Sequence, residues 1–124
     1  MKQNSMNSTT ALLLSACLAT LIPVAGFADP GSIPVAHETP QTKLPAMAKI
    51  PMIAAINAAL AVAPGKVIEA KLLVESGSLQ YNVIIVGADN TLFDADVDAG
   101  NGKVLVLEKN GEEVELDAIS PAKK

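Results

Sequence analysis

Residues 64–86 read PGKVIEAKLLVESGSLQYNVIIV, and residues 87–109 continue GADNTLFDADVDAGNGKVLVLEK. In the first stretch Ile68, Ala70, Leu72 and Val74 alternate with Glu69, Lys71 and Glu75, while Leu79, Tyr81, Val83 and Ile85 alternate with Gln80 and Asn82. A period of two marks strands with one buried face. A two-residue turn at Ser76-Gly77 pairs Val74 with Leu79 and Leu72 with Tyr81, which puts both apolar sets on the same side. The two strands therefore read as a hairpin.

The second stretch extends the sheet. Residues 91–98 send Phe93, Ala95 and Val97 inward and Asp94, Asp96 and Asp98 outward. A three-residue loop, Gly100-Asn101-Gly102, with Gly102 in the left-handed region, places Leu105 and Leu107 on the inner face of a fourth strand. Asn110-Gly111 is a strong type I′ hairpin signal and pairs Leu107 with Val114 and Leu105 with Leu116 in a fifth. One inner face runs through every strand, and a slip of one residue would invert any of them.

Upstream, residues 50–63 have Pro51 as a first-turn residue and set Ile53, Ile56, Leu60 and Ala63 on one helical stripe, ended by Pro64-Gly65. The opposite face, Ala54, Ala55, Ala58 and Ala61, is uncharged, as is the whole segment between Lys49 and Lys66. Alanine is the best helix former and is tolerated in water; a partner covering this second face is the sharper reading. The expected fold class is α+β, one N-terminal helix packed on one face of a four- or five-stranded antiparallel meander sheet.

Residues 29–47 carry Pro30, Pro34, Pro40 and Pro45 among Gly, Ser, Thr and Gln without an apolar period, the pattern of a flexible or extended tether. His37 lies there with no second ligand near it in sequence and reads as solvated. Before it, residues 1–28 have the order of a secretory signal, with Lys2 at the start, an apolar run over 11–24, and Gly26-Phe27-Ala28 at the cut. Pro23 and Gly26 interrupt the run, which argues against a retained membrane span. Cys17, the single cysteine, follows Leu14-Ser15-Ala16 and offers the alternative of a lipoprotein anchored there. Cleavage after Ala28 leaves a mature chain with no thiol and no disulfide. The division expected is a signal peptide at 1–28, a tether at 29–47, a domain at 48–109, and a possible fifth edge strand with a polar tail at 110–124.

The 124 residues hold nine Lys, no Arg and thirteen acids, for a net charge of −4. Nucleic acid is a poor ligand for such a chain, because backbone neutralisation needs clustered basic residues. A domain of about 60 residues buries only about 60% of the surface its unfolded chain exposes, which makes a supporting partner worth weighing.

Catalytic chemistry finds few residues. Beyond the tether there is neither His nor Cys to activate a nucleophile. Ser76 and Ser78 sit at a hairpin tip, and the carboxylates Asp94, Asp96 and Asp98 are expected on a solvated face. No catalytic residue and no cofactor is expected. The same three aspartates match the first ligand positions of an EF-hand loop, and so are the candidates for a metal. The match stops there, since Ala99 stands at the sixth position and Leu105 at the twelfth, where glycine and glutamate are needed.

Residues 50–107 resemble the PepSY domain, a module of thermolysin-type metallopeptidase propeptides and of exported bacterial proteins. The resemblance rests on Ala59-Leu60, Pro64-Gly65-Lys66-Val67, Glu69, Tyr81-Asn82-Val83, and above all Val97-Asp98-Ala99 with Gly102-Lys103-Val104-Leu105. At the helix start, where the family usually has acidic residues before the alanine-isoleucine pair, this chain has Ile53 and Ala54 before Ala55-Ile56. The resemblance implies an α+β fold, a periplasmic or secreted bacterial location, and a non-enzymatic protein-binding activity that inhibits or modulates a peptidase or another envelope protein. Its motif residues are scaffold, so it assigns no site. Ala54, Ala55, Ala58 and Ala61 are the candidate interface, with a peptidase or a second copy as partner. The alternative is a small-ligand or divalent-cation sensor domain using the acidic stripe, and a structural envelope protein is a third class.

Overall fold

A computed structural model describes residues 30–119. The expectations for the signal segment, Cys17 and the last five residues lie outside them. After a 3-10 turn at Gln41–Lys43 come the short helix α1 (Leu44–Met47), the main helix α2 (Met52–Val62), and strands β1 (Lys66–Glu75), β2 (Ser78–Val86), β3 (Leu92–Asp98), β4 (Val104–Lys109) and β5 (Glu112–Glu113). The five strands form one antiparallel sheet in the order β1-β2-β3-β4-β5, a meander with α2 on one face. The expected fold class is the observed one.

The β1–β2 hairpin has the register its sequence dictates: Leu72 opposes Tyr81, Val74 opposes Leu79, and Ser76 and Gly77 take φ of 51° and 80° at the turn. Asn110 and Gly111, at 54° and 88°, make the corresponding turn between β4 and β5. Two bulges alter the inner face. Between Val67 and Glu69 the register shifts, so Val67 faces Ile85 and packs against the core while Ile68 is left 63% exposed instead of buried. Between Asp96 and Val97 a second shift sets Val104 opposite Val97. Leu107 lies on the inner face as expected, fully buried opposite Ala95. Leu105, expected beside it, is buried outside the main core, because an extra residue at a bulge reverses the alternation on one side of it. The fifth strand ends at Glu113, and Leu116 begins a 3-10 turn, so the Leu105–Leu116 pair does not form.

Helix α2 is rotated from its expected setting. Ala55 and Ala59 are its fully buried residues, and Ala63 is buried just past its end as expected; Ile53 is 61% exposed, and Ile56 and Leu60 flank the contact. The inner sheet face is already filled by Tyr81, Val83, Ile85, Val97 and Leu107, which leaves room for a helix that presents methyl groups and brings its backbone close. Ala63 adopts an extended φ of −139° before Pro64, which ends the helix. Gly65 follows where a Cβ would collide with the carbonyl of Val86, so the chain can enter β1 only through a glycine.

The proline-rich stretch is a built part of the fold, not a tether. Ile33, Val35 and Leu44 are buried in the core cluster. Pro34 bridges to Ser78, the Val35 amide donates to Gly77 O at 2.9 Å, and the Leu79 amide donates to Ile33 O at 2.9 Å. The segment thus lies along β2 where β3 has turned away, and it satisfies groups that β3 leaves unpaired.

Candidate functional site

The outward positions of β2, β3 and β4 come together on the face opposite α2. Strand pairing sets Gln80 against Asp98, Asn82 against Asp96 and Ile84 against Asp94. The three aspartates do not act together. Asp98, expected on a solvated face, is 1% exposed. Its carboxylate accepts the Ser32 amide and the Ser32 hydroxyl, each at 2.8 Å, and the Gly100 amide at 2.7 Å. Burial acts to raise its pKa, but hydrogen bonds from Gly100, Ser32 and Asn101 outweigh it and hold the carboxyl below its ordinary value. Gly100 is required at this corner, since a Cβ there would strike the Ser32 hydroxyl. Asp98 is a lock between the 30–35 segment and the β3–β4 turn.

Asp94 and Asp96, both half-buried, share the side-chain amide of Asn82, whose Nδ2 donates to Asp94 Oδ1 at 2.6 Å and to Asp96 Oδ1 at 2.7 Å. Burial pushes the Asp96 carboxyl up; the Asn82 hydrogen bond opposes this, and the charges of Asp94, Glu75 and Glu108 add to it. Among the described residues no group of three or more His, Cys, Asp or Glu is arranged to hold a metal ion. His37 is exposed in a turn well away in sequence.

Beside Asp96 lies a groove of about 440 Å³, bounded by Gln80, Leu105, Val106 and the carboxylates of Glu75, Glu108 and Glu113. Leu105 reaches it through the β4 bulge. The sequence marks Gln80 as an outward polar residue of β2, but the groove depends on that bulge and on residues 30–31 closing its end, which periodicity does not reveal.

On the other side of the molecule, the interface residues expected from the sequence separate. Ala55 is fully buried against the sheet and cannot meet a partner; Ala54 and Ala58 are half-buried, and Ala61 is exposed. The outward stripe is instead Met52, Ile53, Asn57 and Ala61, and it remains uncharged. At its N-terminal end an apolar cleft of about 450 Å³ opens between Ile50, Pro51, Met52, Leu72 and Tyr81. Tyr81 is fixed there by its hydroxyl, which donates to Ile50 O at 2.8 Å.

A family model described as "PepSY: Peptidase propeptide and YPEB domain" matches residues 49–105. Residues 49–105 are a PepSY domain. The match begins at Lys49, whose amide donates to Ala99 O at 2.9 Å, and closes at Leu105, so it takes in α2, β1 to β3 and the corner held by Asp98. It leaves out the 30–48 segment, whose Ser32 closes the corner, and the chain after Leu105. No curated protein and no solved structure matches the chain. PepSY domains occur in exported bacterial proteins and are propeptide or regulatory domains. Among the described residues no single helix is long and apolar enough to cross a membrane.

Proposed function

We propose that this PepSY domain is a non-enzymatic module that binds another protein outside the cytoplasm, and that restraint of a peptidase is the form this binding takes. The observation that carries the reading is the outer stripe of α2. Met52 and Ile53 are exposed in line with Asn57 and Ala61, with no charge on the helix and an apolar cleft at its start. A surface helix normally opposes its buried stripe with charged residues. Small side chains at Ala54, Ala58 and Ala61 let a second backbone approach this face, and Ile53 supplies the large apolar contact that such an interface needs at its centre.

The test is the double variant Ile53→Lys with Ala61→Glu, which leaves net charge unchanged and puts two desolvation penalties into any interface. It is expected to keep the wild-type circular dichroism spectrum while losing its dimer in sedimentation, its partner in a pull-down from envelope extract, or its inhibition of a thermolysin-type peptidase. Retention of the same partner at the same affinity sinks the assignment of the helix face.

A further inference from the structure

Gln80 is 5% exposed, and its two ends are treated unequally. The amide nitrogen Nε2 donates to Ser78 Oγ at 2.9 Å and to Glu75 O at 3.2 Å, while the carbonyl Oε1 accepts no hydrogen bond. Among the described residues it is the buried side-chain polar atom without a partner. Buried acceptors are nearly always paired, because the loss of hydration is otherwise uncompensated. Gln80 lines the groove, and the group it leaves unpaired is an acceptor that lacks a donor.

The rest of the lining narrows the kind of donor. Glu75, Asp96, Glu108 and Glu113 surround the groove, and no basic residue among the described residues lines it. Leu105 and Val106 contribute an apolar part. An anion is repelled by four carboxylates. A bare divalent ion finds no convergent set of ligands, since Asp96 is engaged by Asn82 and no metal-holding group of carboxylates is present among the described residues. A basic side chain suits both halves of the lining: its hydrocarbon stem lies along Leu105 and Val106, its N–H groups donate to the carboxylates, and a small turn of the buried Gln80 side chain brings Oε1 to the same donors.

We propose that the groove beside Asp96 seats an arginine or lysine side chain presented by a protein partner. This rests on the protein-binding reading above and assigns it a second contact, on the face of the sheet away from α2. The raised pKa of Asp96, due first to burial and further to the charges of Asp94, Glu75 and Glu108, accords with it, since a cation placed there offsets those charges.

The experiment titrates ¹⁵N-labelled protein with two short peptides that are identical except for a central arginine or its uncharged isostere citrulline, with spermidine as a third probe. The arginine peptide is expected to shift the Gln80 side-chain amide and the backbone amides of Gln80, Asp96 and Val106, with citrulline binding at least tenfold more weakly. Asp96→Asn and Glu108→Gln, which keep shape while removing charge, are each expected to weaken the arginine peptide severalfold. Equal binding of citrulline, shifts confined to α2, or variants that bind as wild type would overturn the proposal. Spermidine binding as tightly as the peptide would assign the groove to free amines and likewise overturn a protein-borne cation. A partner lost with the α2 double variant but held at full affinity by both groove variants leaves the protein-binding reading intact and removes only this one.

Discussion

On the helix-covered face of the sheet, Tyr81, Val83, Ile85, Ala95, Val97 and Leu107 are buried against the alanines of α2; on the opposite face, Asn82, Asp94 and Asp96 are half-buried and bonded to one another. Both faces are written by the same strands in alternation. The first is closed: its side chains fill space, and its large polar group, the Tyr81 hydroxyl, has Ile50 O. The second is unfinished, with one carboxylate pushed toward protonation and one amide oxygen unpaired. The covered face accounts for stability, and the open face retains interactions that only something outside the described residues can complete.

The largest expected effect lies on the covered face. Val83 is fully buried at the centre of β2, opposite Ala70 and Ala95, so Val83→Ala removes two methyl groups from a packed site. The loss should be about 1–3 kcal/mol of unfolding free energy by denaturant titration. A change below about 0.5 kcal/mol, the size of a surface substitution, would break the comparison by showing that this face is not the tightly packed one.

An effect of similar size comes from the one outward carboxylate that is closed off. Asp98→Asn keeps the shape but turns an NH₂ group toward donors from Ser32 and Gly100, at a cost of about 1–3 kcal/mol near neutral pH. Because the folded pKa of Asp98 is depressed, its contribution is present in full above the ordinary carboxylate pKa and fades as pH falls through the folded value. Wild type and variant should therefore converge in acid. A constant gap down to pH 2 would mean that the variant acts through shape and not through the charge. The Asp98 lock would then belong with the packed face.

The strands were legible because alternation and turn chemistry agree: Ser76-Gly77, Gly102 and Asn110-Gly111 each adopt the left-handed backbone that their sequence asks for, and the hairpin register follows. The bulges at Ile68 and Leu105 were not, since an inserted residue is decided by how the neighbouring strand twists and leaves no mark in the period. The helix was located but not oriented. Beside the expected stripe of Ile53, Ile56, Leu60 and Ala63, the pair Ala55 and Ala59 is also spaced by a helical turn, and the bulk already on the sheet turns these smaller residues inward while Ile53 is left exposed. Ile33, Val35 and Leu44 were hidden among prolines because a segment that docks by three isolated contacts has no period at all. Of the acidic stripe, the sequence put all three aspartates on one side, but only tertiary contacts show that Ser32 closes Asp98 away while Asp96 stays beside the groove.

The smallest effect should have the opposite sign, and it sharpens the difference between the two outward carboxylates. Asp96 has its pKa raised, mainly by burial and further by Asp94, Glu75 and Glu108, so its folded form prefers the proton. For such a group the stabilisation is present below the unfolded pKa and is lost as pH rises through the folded value, the reverse of Asp98. Asp96→Asn replaces the carboxylate with a neutral side chain whose Oδ1 can still accept from Asn82 Nδ2. The variant should then match wild type in acid and exceed it at neutral pH by less than about 1 kcal/mol, since a half-exposed charge is screened by water. Unfolding curves measured from pH 3 to pH 8 decide it. A variant less stable than wild type at neutral pH would mean that the Asp96 charge is already compensated within the chain, and the open face would then be as complete as the covered one. A variant that is more stable yet binds the arginine peptide less well would separate the two demands on this residue, because the same charge would weaken the free fold and be needed by the complex.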